Sequence, residues 1–318
     1  MHDESISRWG YIDRSGKIVI GLGFDHASQF NEGFALVLSG GFRGFIDKSG
    51  DFIIQPQFGN ESQLFFEGLA MVEAMTGKCG FIDRSGHFVI EPIFDWAGPY
   101  RQGFAVVKVG GKYGYINRNG TFLLEPKLEH AGEFSQHLAN ICKEDKWYYI
   151  NNEGEISFGP FGSAGRFSDG VARVYSDQTD TLLQLDRTIV HVRNVDWVSD
   201  YFSDGRVAFS RSGLCGYLDR EGEIVIPPTY EQVSTFSSGL AAVKLNGKWG
   251  YVNIWGILEI TPRFEDADFF EEGLAHAVLD GKDVYIDRYG AVLLRTDLHA
   301  VYPFSEGVTP VYKVKRGT

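Results

Sequence analysis

Carboxylates are the first chemistry this sequence offers. Asp13, Asp47, Asp83, Asn117, Asn151, Asp219, Asn253 and Asp287 stand at corresponding places along the chain. A row of this kind could serve metal coordination or general acid catalysis. The exchange of Asp for Asn within one chain speaks against ionic chemistry, because both side chains accept backbone N–H bonds two residues on and fix tight turns equally well. Glu265, Asp266, Asp268, Glu271 and Glu272 form the densest acidic cluster. They lack the spacing of a calcium loop, which predicts a solvated connection. His2, His26, His87, His130, His137, His191, His276 and His299 occupy different phases of the repeat, with no H-x-x-x-H or H-E-x-x-H pairing. They read as scattered surface or strand residues. The nucleophile elbow, the Walker loop and the dinucleotide-binding glycine set are missing too. No catalytic residue, metal or cofactor is expected. An enzyme would need a pair assembled from distant copies of the repeat.

Aromatic residues at turn tips are the better binding candidates. Trp255 and Tyr289 hold the same turn position in adjacent copies, where other copies carry Ser15, Ser49, Ser85, Asn119, Glu153 and Glu221. Tips project into solvent, and exposed aromatics are enriched in interface hot spots. Trp96 and Trp197 lie in connections where most copies have smaller or acidic residues, and Tyr201 ends an acid-aromatic run that starts at Asp196. These five are the candidate partner contacts.

Composition narrows the partner. A formal charge of −12 repels phosphate backbones and anionic headgroups, so neither nucleic acid nor membrane is expected. No apolar run approaches the roughly 20 residues a membrane helix needs. The start, Met1-His-Asp-Glu-Ser, lacks the basic and apolar stretches of a secretion signal. Three cysteines without a dense framework fit a reducing compartment, with cytoplasm expected. Cys79 and Cys215 stand where other copies have Trp9, Tyr113 or Trp249, as small apolar substitutes, and Cys142 lies in a strand.

The elements that position these residues repeat. Gly10, Gly44, Gly80, Gly114, Tyr148, Leu182, Gly216, Gly250 and Val284 recur every 34 residues, with one gap of 36. Each copy predicts a first strand, a tight Gly turn, a second strand closed by proline (Pro56, Pro92, Pro126, Pro227 and Pro262), a connection, and a third strand. The third strand then turns into the next copy through signals such as Asn246–Gly247. The connection is one helical turn or a short fourth strand. Its apolar triplets, such as Phe24, Ala27 and Phe30, or Leu298, Val301 and Phe304, read as core between copies. Only the sixth copy lacks the turn glycine. Residues 1–8 form an N-terminal extension, and residues 9–315 a single array. Its copies start near Trp9, Arg43, Cys79, Tyr113, Trp147, Thr181, Cys215, Trp249 and Asp283.

The run Trp9–Ile20, the run Lys248–Asn253 and the P-x-F-x-x-A-x-x-F-x-x-G-L-A pattern that follows resemble the WG-repeat (KWG) family over nearly the whole chain. Proteins of that family are mostly bacterial, vary in copy number and are regarded as interaction modules without an assigned catalytic set. The resemblance therefore implies a protein or peptide partner and carries over no active site. Lys146–Tyr149 with Asn152–Gly154 also resembles a choline-binding cell-wall repeat, which fits the alternative of a carbohydrate- or cell-wall-binding module using exposed aromatics. The fold class is all-β, with nine tandem copies of three to four short antiparallel strands. The chain begins on a first strand and ends on a third (Val308–Val314), and their mutual pairing would close a propeller-like ring. The alternative is an open superhelical β-solenoid. Pro310 marks its strand as an edge.

Overall fold

A computed structural model describes residues 7–176, 179–295, 297–300 and 302–314. His2 and Val301 lie outside the described residues. The described chain contains strands and turns but no helix. Two compact units are distinguished, Met1–Tyr100 with Glu271–Thr318, and Arg101–Phe270.

The strands form nine four-stranded antiparallel sheets, each in the order short, third, first, second. In one sheet of the second unit these are His130–Ala131, Ala139–Lys143, Lys146–Ile150 and Ile156–Phe161. The connection is thus a strand, of two residues in eight sheets and of six (His26–Asn31) in the other, rather than a helical turn. Within the first unit, Ser7–Asp13 pairs along its whole length with Val308–Val314, from Ser7↔Val314 to Asp13↔Val308. The first and last strands therefore complete each other, as the closed alternative requires. Pairing already begins at Ser7, inside the stretch expected to be an extension.

Two expectations about proline are corrected. The second strands do not stop at proline: Phe52–Phe58, Phe88–Phe94, Phe122–Leu128, Ile224–Tyr230 and Leu258–Phe264 all run through it. Each is the outermost strand of its sheet, where a missing N–H costs no ladder bond. Pro310, by contrast, is not on an edge, because its strand lies between Ser7–Asp13 and His299–Ala300. Among the described residues the short strand pairs with Tyr312 and Val311.

The buckled second strands explain the glycine of the Trp-Gly pair. Where Tyr113 faces Leu128 and Tyr115 faces Leu124, two steps on one strand oppose four on the other, so the proline strand buckles toward its neighbour. A Cβ on Gly114 would lie 2.5 Å from the Leu124 carbonyl oxygen and 2.8 Å from the Pro126 nitrogen. Gly44, Gly80 and Gly250 meet the same obstruction. Where Leu182 replaces the glycine, Thr181, Leu182 and Leu183 pair evenly with His191, Val190 and Ile189, and no buckle forms.

The core is built on the next residue. Tyr11, Tyr115, Tyr149, Tyr217, Tyr251 and Tyr285 are each at most 1 % exposed. The Tyr251 hydroxyl donates to the Asp268 carbonyl at 2.7 Å, and that of Tyr149 to the Gly165 carbonyl at 2.7 Å. Each ring meets a connection phenylalanine edge-on, Phe270 at 4.9 Å and Phe167 at 4.8 Å. Burial pushes these phenols above their ordinary pKa.

Neighbouring copies are also joined by a device that the sequence reading lacks. In the turn before each third strand a non-glycine residue takes a left-handed backbone, such as Glu32 (φ 53°), Gln136 (φ 53°) or Glu272 (φ 50°). In most of these turns its side chain accepts the backbone N–H of the corresponding turn one copy on. Gly68 donates to Glu32 at 2.9 Å, Gly170 to Gln136 at 2.9 Å, Gly307 to Glu272 at 3.0 Å and Gly33 to Glu306 at 3.1 Å.

Candidate partner-binding surface

The Asp/Asn row builds turns. Asn253 Oδ1 accepts the N–H of Trp255 at 3.0 Å and of Ile257 at 3.1 Å. Asp287 Oδ1 does the same for Tyr289 and Ala291, both at 2.9 Å. These carboxylates and amides are thus spent on backbone. In the sixth copy Gln184 replaces the acid, and Arg187 takes the glycine's left-handed place at φ 74°.

A turn fixed in this way projects its tip side chain outward. Within the second unit Trp255 is 70 % exposed, next to Ile257. The Arg206 guanidinium ties down the backbone under this tip, donating to the Ile254 carbonyl at 3.0 Å and the Gly205 carbonyl at 3.0 Å. Within the first unit Tyr289 is 81 % exposed, and Leu293 close to it in sequence is exposed too. Trp197 is exposed on a short strand, paired with Ser210. Trp96 is half-buried on the short strand Trp96–Ala97.

Tyr201 lines a cleft of about 410 Å³ in the second unit with His130, Glu133, Trp147, Arg166 and Asp200. Trp197 is not part of its lining. The His130 ring lies 5.7 Å from that of Tyr113 and 5.1 Å from that of Trp147, and desolvation there favours its neutral form. Glu133 faces Arg101 and Arg166, each at 3.4 Å, and Asp200 receives Arg173 at 2.9 Å. Burial disfavours the Arg173 cation, but bonds to Asp200 and Asp180 outweigh that and leave its pKa raised. The result is a pocket whose carboxylates are each paired with arginine and whose lining includes the Trp147 and Tyr201 rings. Sequence reasoning reached only Tyr201 and the run from Asp196 that contains Asp200, because His130, Glu133, Trp147 and Arg166 come from two further copies. Arg173, a cation within the strand Val171–Ser176 where other third strands are mainly apolar, was the available signal.

The remaining ionisable candidates are dispersed or paired. Glu265 meets Lys248 at 3.3 Å and Glu272 meets Arg14 at 2.7 Å, so members of the acidic cluster serve separate contacts. The histidines are less scattered than expected. His276, nearly buried, lies 2.8 Å from Asp283, and His299 approaches the other oxygen of that carboxylate at 3.6 Å. Among the described residues no three His, Cys, Asp or Glu side chains are arranged to hold a metal ion. Cys79 and Cys142 are buried and Cys215 half-buried, all as free thiols, and desolvation pushes all three up in pKa. No helix among the described residues is long and apolar enough to cross a membrane.

Nine four-stranded sheets, with the first and last strands of the chain sharing one, define a nine-bladed β-propeller. The WG containing repeat profile matches residues 9–41, 44–79, 80–113, 113–147, 216–249 and 249–282, more than half of the sequence, and the chain belongs to that family. No curated protein sequence matches it. Among solved structures it is similar in fold to a eukaryotic initiation factor, at 10% identity and a TM-score of 0.57, covering 97% of this chain and 98% of that one. BamB from Moraxella catarrhalis matches at 11% identity and a TM-score of 0.45, over 91% of this chain and 96% of that one. The dihydro-heme d1 dehydrogenase NirN in complex with DHE matches at 11% identity and a TM-score of 0.47, over 96% and 79%.

Proposed function

We propose that this chain is a non-enzymatic scaffold that binds a protein or peptide partner through aromatic side chains on its turns. The observation that carries this reading is the exposure of Trp255 (70 %) and Tyr289 (81 %) at a turn position where other copies hold Ser, Asn or Glu. Leaving large rings in water gains nothing for folding, whereas covering them on binding does. Their turns are locked by backbone bonds, so little ordering entropy is lost on association. Trp197, Tyr201 and Trp96 are the further contacts in this reading.

The test is capture of partners by the wild-type chain and by the double variant Trp255→Ser, Tyr289→Ser. The expected result is partner binding weakened at least tenfold with unchanged thermal unfolding. Unchanged binding to every isolated partner would overturn the reading. Glycan-array binding lost in the same variant would replace the protein partner by a sugar.

A further inference from the structure

At the end of the second strand most copies place an aromatic ring, namely Phe24, Phe58, Phe94, Phe161, Tyr230 and Phe264. Within the first unit, Phe24 and Phe52 meet edge-on at 5.9 Å and cover Ile20, Val37 and Ile46. One seam further on, Phe58 and Phe88 meet at 6.4 Å, with Phe58 packed among Ile54, Val72 and Ile82. Within the second unit, Phe161 and Tyr230 take the Phe24 place at two other seams. The seam after Phe122–Leu128 departs from this rule. Leu128 stands where Phe24 and Phe58 do, and Ile156 where Phe52 and Phe88 do. The Phe52 place is aliphatic in most copies, so the distinguishing change is Leu128, a shorter chain where six copies carry a ring, and space beside it stays open.

The consequence is a groove of about 450 Å³, lined by Leu123, Leu124, Leu128, Ile141, Ile150 and Ile156, with Glu125, Lys127 and Lys143 also on its wall. Leu124 is only half-buried and Ile156 is 58 % exposed, whereas Ile20 and Ile54, the counterparts of Leu124, are 6 % and 3 % exposed. An apolar cavity of about 150 Å³ already suffices for a benzene ring, so a phenyl group and part of its backbone fit here. Apolar pockets with a few polar groups on the wall are the usual form of an anchor site.

We infer that this groove is a second anchor on the partner-binding surface and takes a phenylalanine side chain of an extended peptide. That ring would fill the room that Phe24 fills in the first unit. The inference rests on the peptide-scaffold reading for its biological occupant, but it is tested without a partner. The probe is a capped tripeptide, acetyl-Gly-Phe-Gly-amide, titrated into the full chain labelled at Leu and Ile methyl groups, with acetyl-Gly-Ala-Gly-amide as control. The expected result is saturable shifts at Leu124, Leu128, Ile141 and Ile156 with the phenyl peptide, and at least tenfold weaker response to the alanine peptide. Leu128→Phe with Ile156→Phe restores the residues found at other seams. It should leave thermal unfolding unchanged or raised and weaken phenyl binding at least tenfold.

Absence of methyl shifts at millimolar peptide, or equal shifts in the refilled variant, would overturn the groove while leaving the Trp255 test untouched. A dimer in sedimentation that the refilled variant abolishes would also overturn it, by making a second copy of this chain the occupant. Partner capture lost in the Trp255 and Tyr289 variant but retained in the refilled variant would overturn the groove as a partner anchor, with the scaffold reading intact.

Discussion

The sheet around Gly250 and the sheet around Leu182 reach the same strand order by different backbone routes. In the first, Trp249 faces Phe264 and Tyr251 faces Ile260, so the Pro262 strand buckles onto Gly250. In the second the outer strand is only Ile189–His191 and pairs without a buckle, so Leu182 fits and is fully buried. The family profile matches the copies that keep the glycine and passes over the stretches 148–215 and 283–318, where Tyr148, Leu182 and Val284 stand in its place. The difference teaches that the glycine is a local requirement of the buckled second strand, with proline in it or, opposite Gly10, without. The sheet itself depends on the buried rings and the turn bonds, which survive in both regions to different degrees.

If the core is independent of the glycine rule, deleting it should hurt both regions alike. Phe270→Ala beside Tyr251 and Phe167→Ala beside Tyr149 should each cost about 3–5 kcal/mol in denaturant unfolding. A loss at Phe167 of under about 1 kcal/mol would show the relaxed region to be separately packed. Tyr251→Phe and Tyr149→Phe each remove one hydroxyl bond of 2.7 Å to a carbonyl. Both should cost about 1–2 kcal/mol by the same measurement, since a buried acceptor loses its donor.

The turns should separate the regions. Asn253→Ala strips two backbone N–H groups of their acceptor and should cost about 1 kcal/mol, while Gln184→Ala, in a turn closed by Arg187, should stay within about 0.5 kcal/mol. Equal effects would erase the distinction.

Acid should act mildly and through the regular copies and their junctions. The Ser85 hydroxyl, ahead of the backbone N–H bonds, holds the Asp83 carboxyl below its ordinary value. Burial pushes Glu32 up, but bonds from Arg84 and the Gly68 N–H outweigh it and leave that carboxyl lowered as well. Groups whose folded pKa is depressed add stability above their unfolded pKa, and this is lost as pH falls through the folded value. Stability should therefore be flat with respect to these groups from pH 7 to 5 and fall below about pH 4. Asp83→Asn, matching the natural Asn117, should reduce that acid slope with little change at pH 7. An undiminished slope would remove the turn row from the account.

Much of the frame was legible because it is written several times over. Period, strand number, the Asp/Asn turns and the pairing of the two chain ends follow from spacing and from one residue type per position. Proline was misread in both directions, at Pro56 and its equivalents and again at Pro310, because its effect depends on which flank of the strand is paired, and no single copy reveals that. The Glu32-type links were invisible for a similar reason: a glutamate in a polar turn looks solvated until the next copy is placed beside it. Of the candidate surface, single exposed rings such as Trp255 could be read from their turn position. The cleft at Tyr201 and the groove at Leu128 could not, because each is assembled across copies.

The claim on which the comparison rests is that the paired glycine makes room for a buckled strand, and its most direct test is a sign. In an ordinary strand interior, Gly→Ala stabilises by roughly 0.5–1 kcal/mol. Gly44→Ala, Gly80→Ala, Gly114→Ala and Gly250→Ala, measured by denaturant unfolding, should instead each destabilise by about 1–3 kcal/mol, because the new methyl meets backbone atoms at 2.4–2.8 Å. Neutral or stabilising values at these positions would contradict the account.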